Sequence, residues 1–105
     1  MGNSMDPVHI THTADTTQIT LEAALGIADT RRLYEQLGTV LASRLPVTVD
    51  GGRLERLDAA VMQLLANFCR TVRERGRVLT WQSTSPALQQ AAKLLGLESM
   101  LGIKS

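Results

Sequence analysis

Apolar and polar positions alternate twice near the start of the chain. In "VHITHT" (8–13), Val8 and Ile10 fall on one side and His9 and Thr11 on the other. In "TQITLEA" (17–23), Ile19, Leu21 and Ala23 are in phase. A period of two marks a strand with one face on a core, and two such runs joined through "ADT" predict an antiparallel hairpin.

The period then changes. From Asp29, "DTRRLYEQLGTVLAS" places Leu33, Leu37, Val40 and Leu41 at helical spacing with Tyr34 beside them, and Asp29 or Thr30 is placed to cap. Gly38 inside this helix costs about 1 kcal/mol against alanine, which predicts close packing there. Pro46 closes the helix and opens a short strand, "PVTVD". "GGRLER" (51–56) reads as a loop. A second helix is expected from about Asp58 to Arg75, with Val61, Leu64, Leu65, Phe68 and Val72 as its apolar stripe. Gln63, Asn67, Arg70, Arg73 and Glu74 form its wet face, and Gly76 stops it. "RVLTW" (77–81) is the next strand. In "SPALQQAAKLLG", Ser85 caps, Pro86 takes the first helical position, Leu88, Ala91, Ala92 and Leu95 face inward, and Gly96 ends the helix. "LESMLGI" is one further turn that covers the core.

The expected order is β-β-α-β-α-β-α. Strand–helix–strand units imply parallel pairing, and the opening hairpin adds an antiparallel strand. The predicted fold class is therefore α/β, a small mixed four-stranded sheet covered by three or four helices. At 105 residues the chain holds one domain, taken as 8–105 behind a flexible tail, 1–7. A chain of this size buries roughly two thirds of its unfolded surface and needs no metal or disulfide to fold.

Composition narrows the function classes. A net charge of +1 argues against a strong nucleic-acid or membrane field. With one Phe, one Trp and one Tyr there is no aromatic platform for stacking bases. One cysteine, Cys69, excludes an internal disulfide framework and a cysteine-rich zinc site, and reads as a small buried apolar residue. His9 and His12 lie three apart on a strand and point to opposite faces, so no metal pair is expected. No apolar run is long enough to span a bilayer, no secretory signal pattern is present, and a cytoplasmic protein is expected. Nucleophile elbows, phosphate loops and zinc-protease motifs are absent, so neither an enzyme nor a cofactor is expected.

The order of elements, "VTVD" followed by "LERLDAAVMQLL", and the later "RERGRVLTWQSTSPALQQAAKLLGLESML" together resemble the STAS domain, the sulfate-transporter and anti-sigma-factor-antagonist family, over roughly residues 8–103. The resemblance implies a STAS-like fold and a partner-binding surface at the start of the second helix. It also implies that a serine in this segment is phosphorylated by a kinase partner in the regulatory members. The matching positions here are Ala59 and Ala60, so no acceptor hydroxyl is present. The resemblance thus implies a contact surface built from Arg53, Glu55, Arg56, Asp58, Ala59, Ala60 and Met62, with Asp58 also serving as helix N-cap. The expected partner is an anti-sigma-factor or histidine-kinase-like ATPase, or another signalling protein. The alternative is the ATPase subunit of a bacterial phospholipid-trafficking ABC transporter, which would connect the chain to lipid asymmetry. Ser83 and Thr84 are the other hydroxyls considered as phosphate acceptors, and they read as turn and capping groups. Arg70, Arg73, Arg75 and Arg77 read as a solvated face.

Overall fold

The computed structural model describes residues 7–103. The first six residues of the expected tail lie outside the described residues. Pro7 is already tied to the sheet, since its carbonyl accepts from Glu22 N at 2.8 Å.

The elements run β1 (Val8–His12), β2 (Thr17–Leu25), a 3₁₀ turn (Ile27–Asp29), α1 (Thr30–Ala42), β3 (Val47–Leu57), α2 (Ala59–Glu74), β4 (Leu79–Thr84), α3 (Pro86–Leu95) and α4 (Glu98–Leu101). The sheet order is β1-β2-β3-β4, antiparallel between β1 and β2 and parallel across the other two pairs. The mixed four-stranded α/β architecture expected from the sequence is the one found.

One face of the sheet is apolar. Val8, Ile19, Leu21, Val47 and Val49 are buried there beneath Leu33, Leu37 and Val40 of α1, Val61, Leu65, Phe68 and Val72 of α2, and Leu88 and Ala92 of α3. Thr11, Thr20, Thr48 and Thr80 alternate onto the other face and are half-buried or exposed. α4 closes the core with Leu97, Leu101 and Ile103, and Trp81 Nε1 donates to Leu101 O at 2.8 Å, joining it to β4.

Several local expectations need correction. Ala23 is exposed with φ +58°, at shifts of register between β2 and β3, and Leu25 takes the next buried position. The strict alternation breaks because a bulge inserts there. "GGRLER" is not a loop, since β3 runs on through Leu57. Its glycines are needed inside the strand: a Cβ on Gly51 would lie 2.9 Å from Leu88 Cδ2 and 3.1 Å from the Trp81 ring, and one on Gly52 would collide with Ser83 Oγ. The fourth strand starts two residues late, at Leu79, because Arg77 is drawn to α1. Gly38 packs against nothing, with no atom within 4 Å of where its Cβ would be. Leu95 is 46% exposed, because α3 ends there in a left-handed Gly96 cap and rests on Leu88 and Ala92.

The arginines are not a free solvated face. Arg77 donates to Leu45 O at 3.0 and 2.7 Å, to Leu41 O at 3.3 Å and to Val40 O at 3.2 Å, and Arg75 donates to Leu41 O at 3.2 Å. These carbonyls lie at or just past the end of α1, where intrahelical partners run out and the dipole favours cations. Arg73 donates to the carbonyls of Ser99 and Met100 in α4, while Arg70 pairs with Glu74 at 3.8 Å. Partial burial, with Arg75 nearby, lowers the Arg77 pKa.

Candidate functional site

The second helix begins where the longest strand ends. Asp58 is extended at φ −86°, ψ 156° and occupies the N-cap position of α2. Its carboxylate makes no bond to its own helix. Instead Oδ2 accepts from the backbone N–H of Ile27 at 2.8 Å, and Asp58 N donates to Leu25 O at 3.1 Å. The expected capping role is therefore corrected: the carboxylate fastens the 3₁₀ turn to the start of α2. Asp29 acts similarly within the turn, where its Oδ2 accepts from Gly26 N at 2.8 Å, so it does not cap α1.

This arrangement brings Ile27, 69% exposed, beside the exposed Ala59 and Ala60. The surface is small, apolar and free of nucleophiles, and acidic Asp58 is held at its centre. Met62 is 0% exposed and packs in the core, because it lies on the inward arc of α2 with Val61, Leu65 and Ala66. It cannot touch a partner. Ile27 was missed from the sequence. Its only signal was an apolar residue standing between Gly26 and Asp29, outside either period.

The remaining expected contact residues separate from this patch. Arg53 Nη1 donates to Glu22 Oε2 at 3.1 Å, and His9 Nε2 lies 3.6 Å from the other oxygen of Glu22. Arg53 and Glu55 line a shallow depression with Glu22, Ala23, Ser85 and Pro86. Arg56 is exposed near the end of β3. The surface thus has two parts, the Ile27–Asp58–Ala60 patch and the Arg53–Glu55 depression.

In the hydroxyl cluster only Ser85 is a cap; Ser83 and Thr84, expected in a turn, are the last residues of β4, because the strand runs on past Trp81. Ser83 Oγ donates to Asp50 Oδ1 at 2.8 Å, Thr84 Oγ1 accepts from Gln89 Nε2 at 2.6 Å, and Ser85 Oγ accepts from Leu88 N at 3.1 Å as the α3 cap. Asp50 Oδ1 also accepts from Gly52 N at 3.0 Å. That backbone bond, then the Ser83 hydroxyl, hold the Asp50 pKa below its ordinary value, against a smaller opposing effect of burial. Burial pushes the Cys69 thiol up to about 12, with Arg73 acting weakly the other way. Such a thiol is inert rather than nucleophilic. Among the described residues no group of three or more His, Cys, Asp or Glu side chains is placed to hold a metal ion, and no helix is long and apolar enough to cross a membrane.

A family model described as "Mlab, STAS domain" matches residues 8–102. Comparison with curated proteins gave no sequence match. Among solved structures, an anti-sigma factor antagonist from Mycobacterium paratuberculosis superposes with a TM-score of 0.74 at 16% identity, covering 91% of this chain and 82% of the other. A sulfate transporter family protein from Wolinella succinogenes gives 0.66 at 20% identity, covering 88% and 75%. A structure of Mglu gives 0.65 at 17% identity over 81% of this chain, which spans only 22% of Mglu's own length. At these identities the likeness is one of fold.

Proposed function

The chain belongs to the STAS domain family, and from that premise we propose that it is a non-catalytic, regulatory protein-interaction domain of the anti-sigma-factor-antagonist kind. Its partner is an anti-sigma-factor or histidine-kinase-like ATPase, or a comparable signalling protein, in the cytoplasm. The contact is centred on Asp58, Ala59 and Ala60 with Ile27, and extends toward Arg53, Glu55 and Arg56.

One observation carries this reading. The start of α2 is exposed, apolar and held in a single shape by the 2.8 Å bond from Ile27 N to Asp58. A surface tied down by a tertiary hydrogen bond is one that a partner can bury at a lower ordering cost. Because alanines occupy the two positions after Asp58, a kinase finds no hydroxyl there. A phosphate at a helix start would add a charge of about −2 and change the surface; alanine keeps the helix and forgoes the switch. The domain therefore binds without being released in this way.

A second reading, which rests on the resemblance, makes the domain the STAS subunit of a bacterial phospholipid-trafficking ABC transporter that binds its ATPase subunit; the matching family is described as Mlab, STAS domain. Both readings use binding rather than chemistry.

The test is affinity purification of the tagged full chain from its native cells with mass spectrometry of what is retained, alongside Ala60→Glu. A kinase-like ATPase retained by the wild type and lost by the variant supports signalling. An ABC ATPase with the same dependence supports transport. Equal retention of the partner by Ala60→Glu would place the contact elsewhere. Incubation with a retained kinase and ATP should leave the mass of the peptide covering 58–62 unchanged.

A further inference from the structure

The geometry points to a second docking surface, the groove between α1 and α2, which takes an acidic segment of another protein that buries one large apolar side chain. It lies further along α2 than the Asp58 patch and does not depend on the function proposed for that patch. Leu37 and Leu41 of α1 and Leu64 and Phe68 of α2 form the floor, Tyr34 and Asn67 stand at the rim, and the cavity measures about 180 Å³. Pockets for small organic ligands run to roughly 300–1,000 Å³. The space is short of a cofactor's needs and suited to a single side chain.

Two residues at the groove are unexplained by the folded chain itself. Gly38 lines it from within α1, yet glycine is a poor helix former and no atom lies within 4 Å of its would-be Cβ. The monomer's packing does not require glycine there, whereas a side chain passing close over the helix backbone would. Tyr34 is 67% exposed, and tyrosine is among the residues that most often anchor interfaces.

Charge identifies the occupant. At the Leu41 end, Arg75 and Arg77 both donate to the Leu41 carbonyl. Arg31 stands about one turn before Tyr34, and Arg70 lies on α2. The acids nearby, Glu35 and Glu74, face Arg31 and Arg70 across i,i+4 spacings of 3.9 and 3.8 Å. Arg31 and Arg70 are thus each matched, and Arg75 and Arg77 leave the Leu41 end cationic, although the whole chain carries only +1. An acidic partner segment is steered to such a surface, while a second copy of this chain would set arginines against arginines.

The test uses the full chain, isotope-labelled for NMR, and a synthetic helical peptide of Glu and Ala with one central Phe. The expected result is saturable shifts of the Gly38, Asn67 and Thr71 amides with a Kd in the millimolar range or tighter. Arg75→Glu should weaken binding about fivefold or more. Gly38→Leu should abolish it while the rest of the spectrum stays folded, since the added side chain starts in open space. Replacing the peptide's Phe by Ala, or its Glu by Lys, should also remove the shifts. The proposal fails if those control peptides shift the same amides equally, or if about 2 mM of the Phe peptide shifts none of them. It also fails if the peptide's shifts fall only on Ala59 and Ala60. Laurate moving the groove amides where the peptide does not would reassign the site to an amphiphile. The same shifts on concentrating the protein alone would reassign it to self-association.

Discussion

The carboxylate of Asp58 is bonded to the backbone N–H of Ile27, 31 residues earlier in the chain, at 2.8 Å. This one contact fixes the 3₁₀ turn against the first turn of α2 and gives the candidate binding patch its shape. Asp58→Ala should cost about 1.5 kcal/mol by urea denaturation, the low end of the range for a hydrogen bond to a charged group because the bond is exposed. The more specific readout is hydrogen exchange. The Ile27 amide should lose protection in the variant while core amides such as Val49 shift only with global stability. Unchanged exchange at Ile27 would mean that the bond does not hold the turn.

Arg77 should be the most costly surface arginine to remove. Its guanidinium reaches three carbonyls, of Val40, Leu41 and Leu45; Val40 O also accepts from Ser43 N and Leu41 O from Arg75, so Leu45 O depends on it most. Arg77→Ala is expected to lose about 1.5–3 kcal/mol, the range for hydrogen bonds to a charged group. Arg77→Lys should recover only part of this, because an ammonium keeps the charge but not the planar fork. Equal stability of the Lys variant and the wild type would show that charge alone suffices.

Gly38→Ala should stabilise the fold. Nothing lies within 4 Å of the new Cβ, so the gain in helix propensity, about 1 kcal/mol, is not offset by a clash. Thermal unfolding should show a raised midpoint. A lowered one would mean that the backbone at Gly38 is under a constraint that the folded chain does not reveal.

Asp50 gives the pH prediction. Its folded pKa lies below the ordinary 3.8, chiefly through the Gly52 N–H and then the Ser83 hydroxyl. A depressed carboxylate pKa contributes stability that is complete above the unfolded value and is lost as pH falls through the folded one. The Asp50 carboxyl should therefore titrate by NMR with a midpoint below 3.8, and Ser83→Ala should move that midpoint upward. A midpoint unaffected by Ser83→Ala would separate the serine from the shift.

Cys69 should be silent in the native protein. It is 1% exposed, and its thiol is pushed up to about 12. A thiol reagent at pH 8 should label it only as fast as the chain opens, and urea should accelerate labelling in step with unfolding. Rapid labelling without urea would contradict the buried placement.

The periodicities were enough to place most of the fold. A period of two in 8–13 and 17–21 and a helical period in 30–42 and 59–74 are consequences of one-sided burial, and one-sided burial is written in which residues are apolar. The signals at element ends were legible for the same local reason: Ser85 caps its own helix and Gly76 and Gly96 take the left-handed conformation that ends one. The Ala59–Ala60 pair was also plain in the chain, because the absence of a hydroxyl on two side chains needs no geometry.

What the sequence could not decide was set by contacts between distant segments. Gly51 and Gly52 look like a turn on their own; only Trp81, Ser83 and Leu88, brought up by β4 and α3, make them strand residues that leave no room for a Cβ. Asp58 looks like a cap, and tertiary structure hands its carboxylate to Ile27 instead. Met62 sits three residues past a surface alanine, and the rotation of α2 against the sheet sends it inward. Of the arginines that read as a wet face, Arg73, Arg75 and Arg77 were claimed by carbonyls of other segments, and only Arg70 stayed on its own helix, with Glu74. Local patterns record which side of each element avoids water; long-range packing decides which backbone groups are left unpaired, and therefore which polar side chains are spent satisfying them.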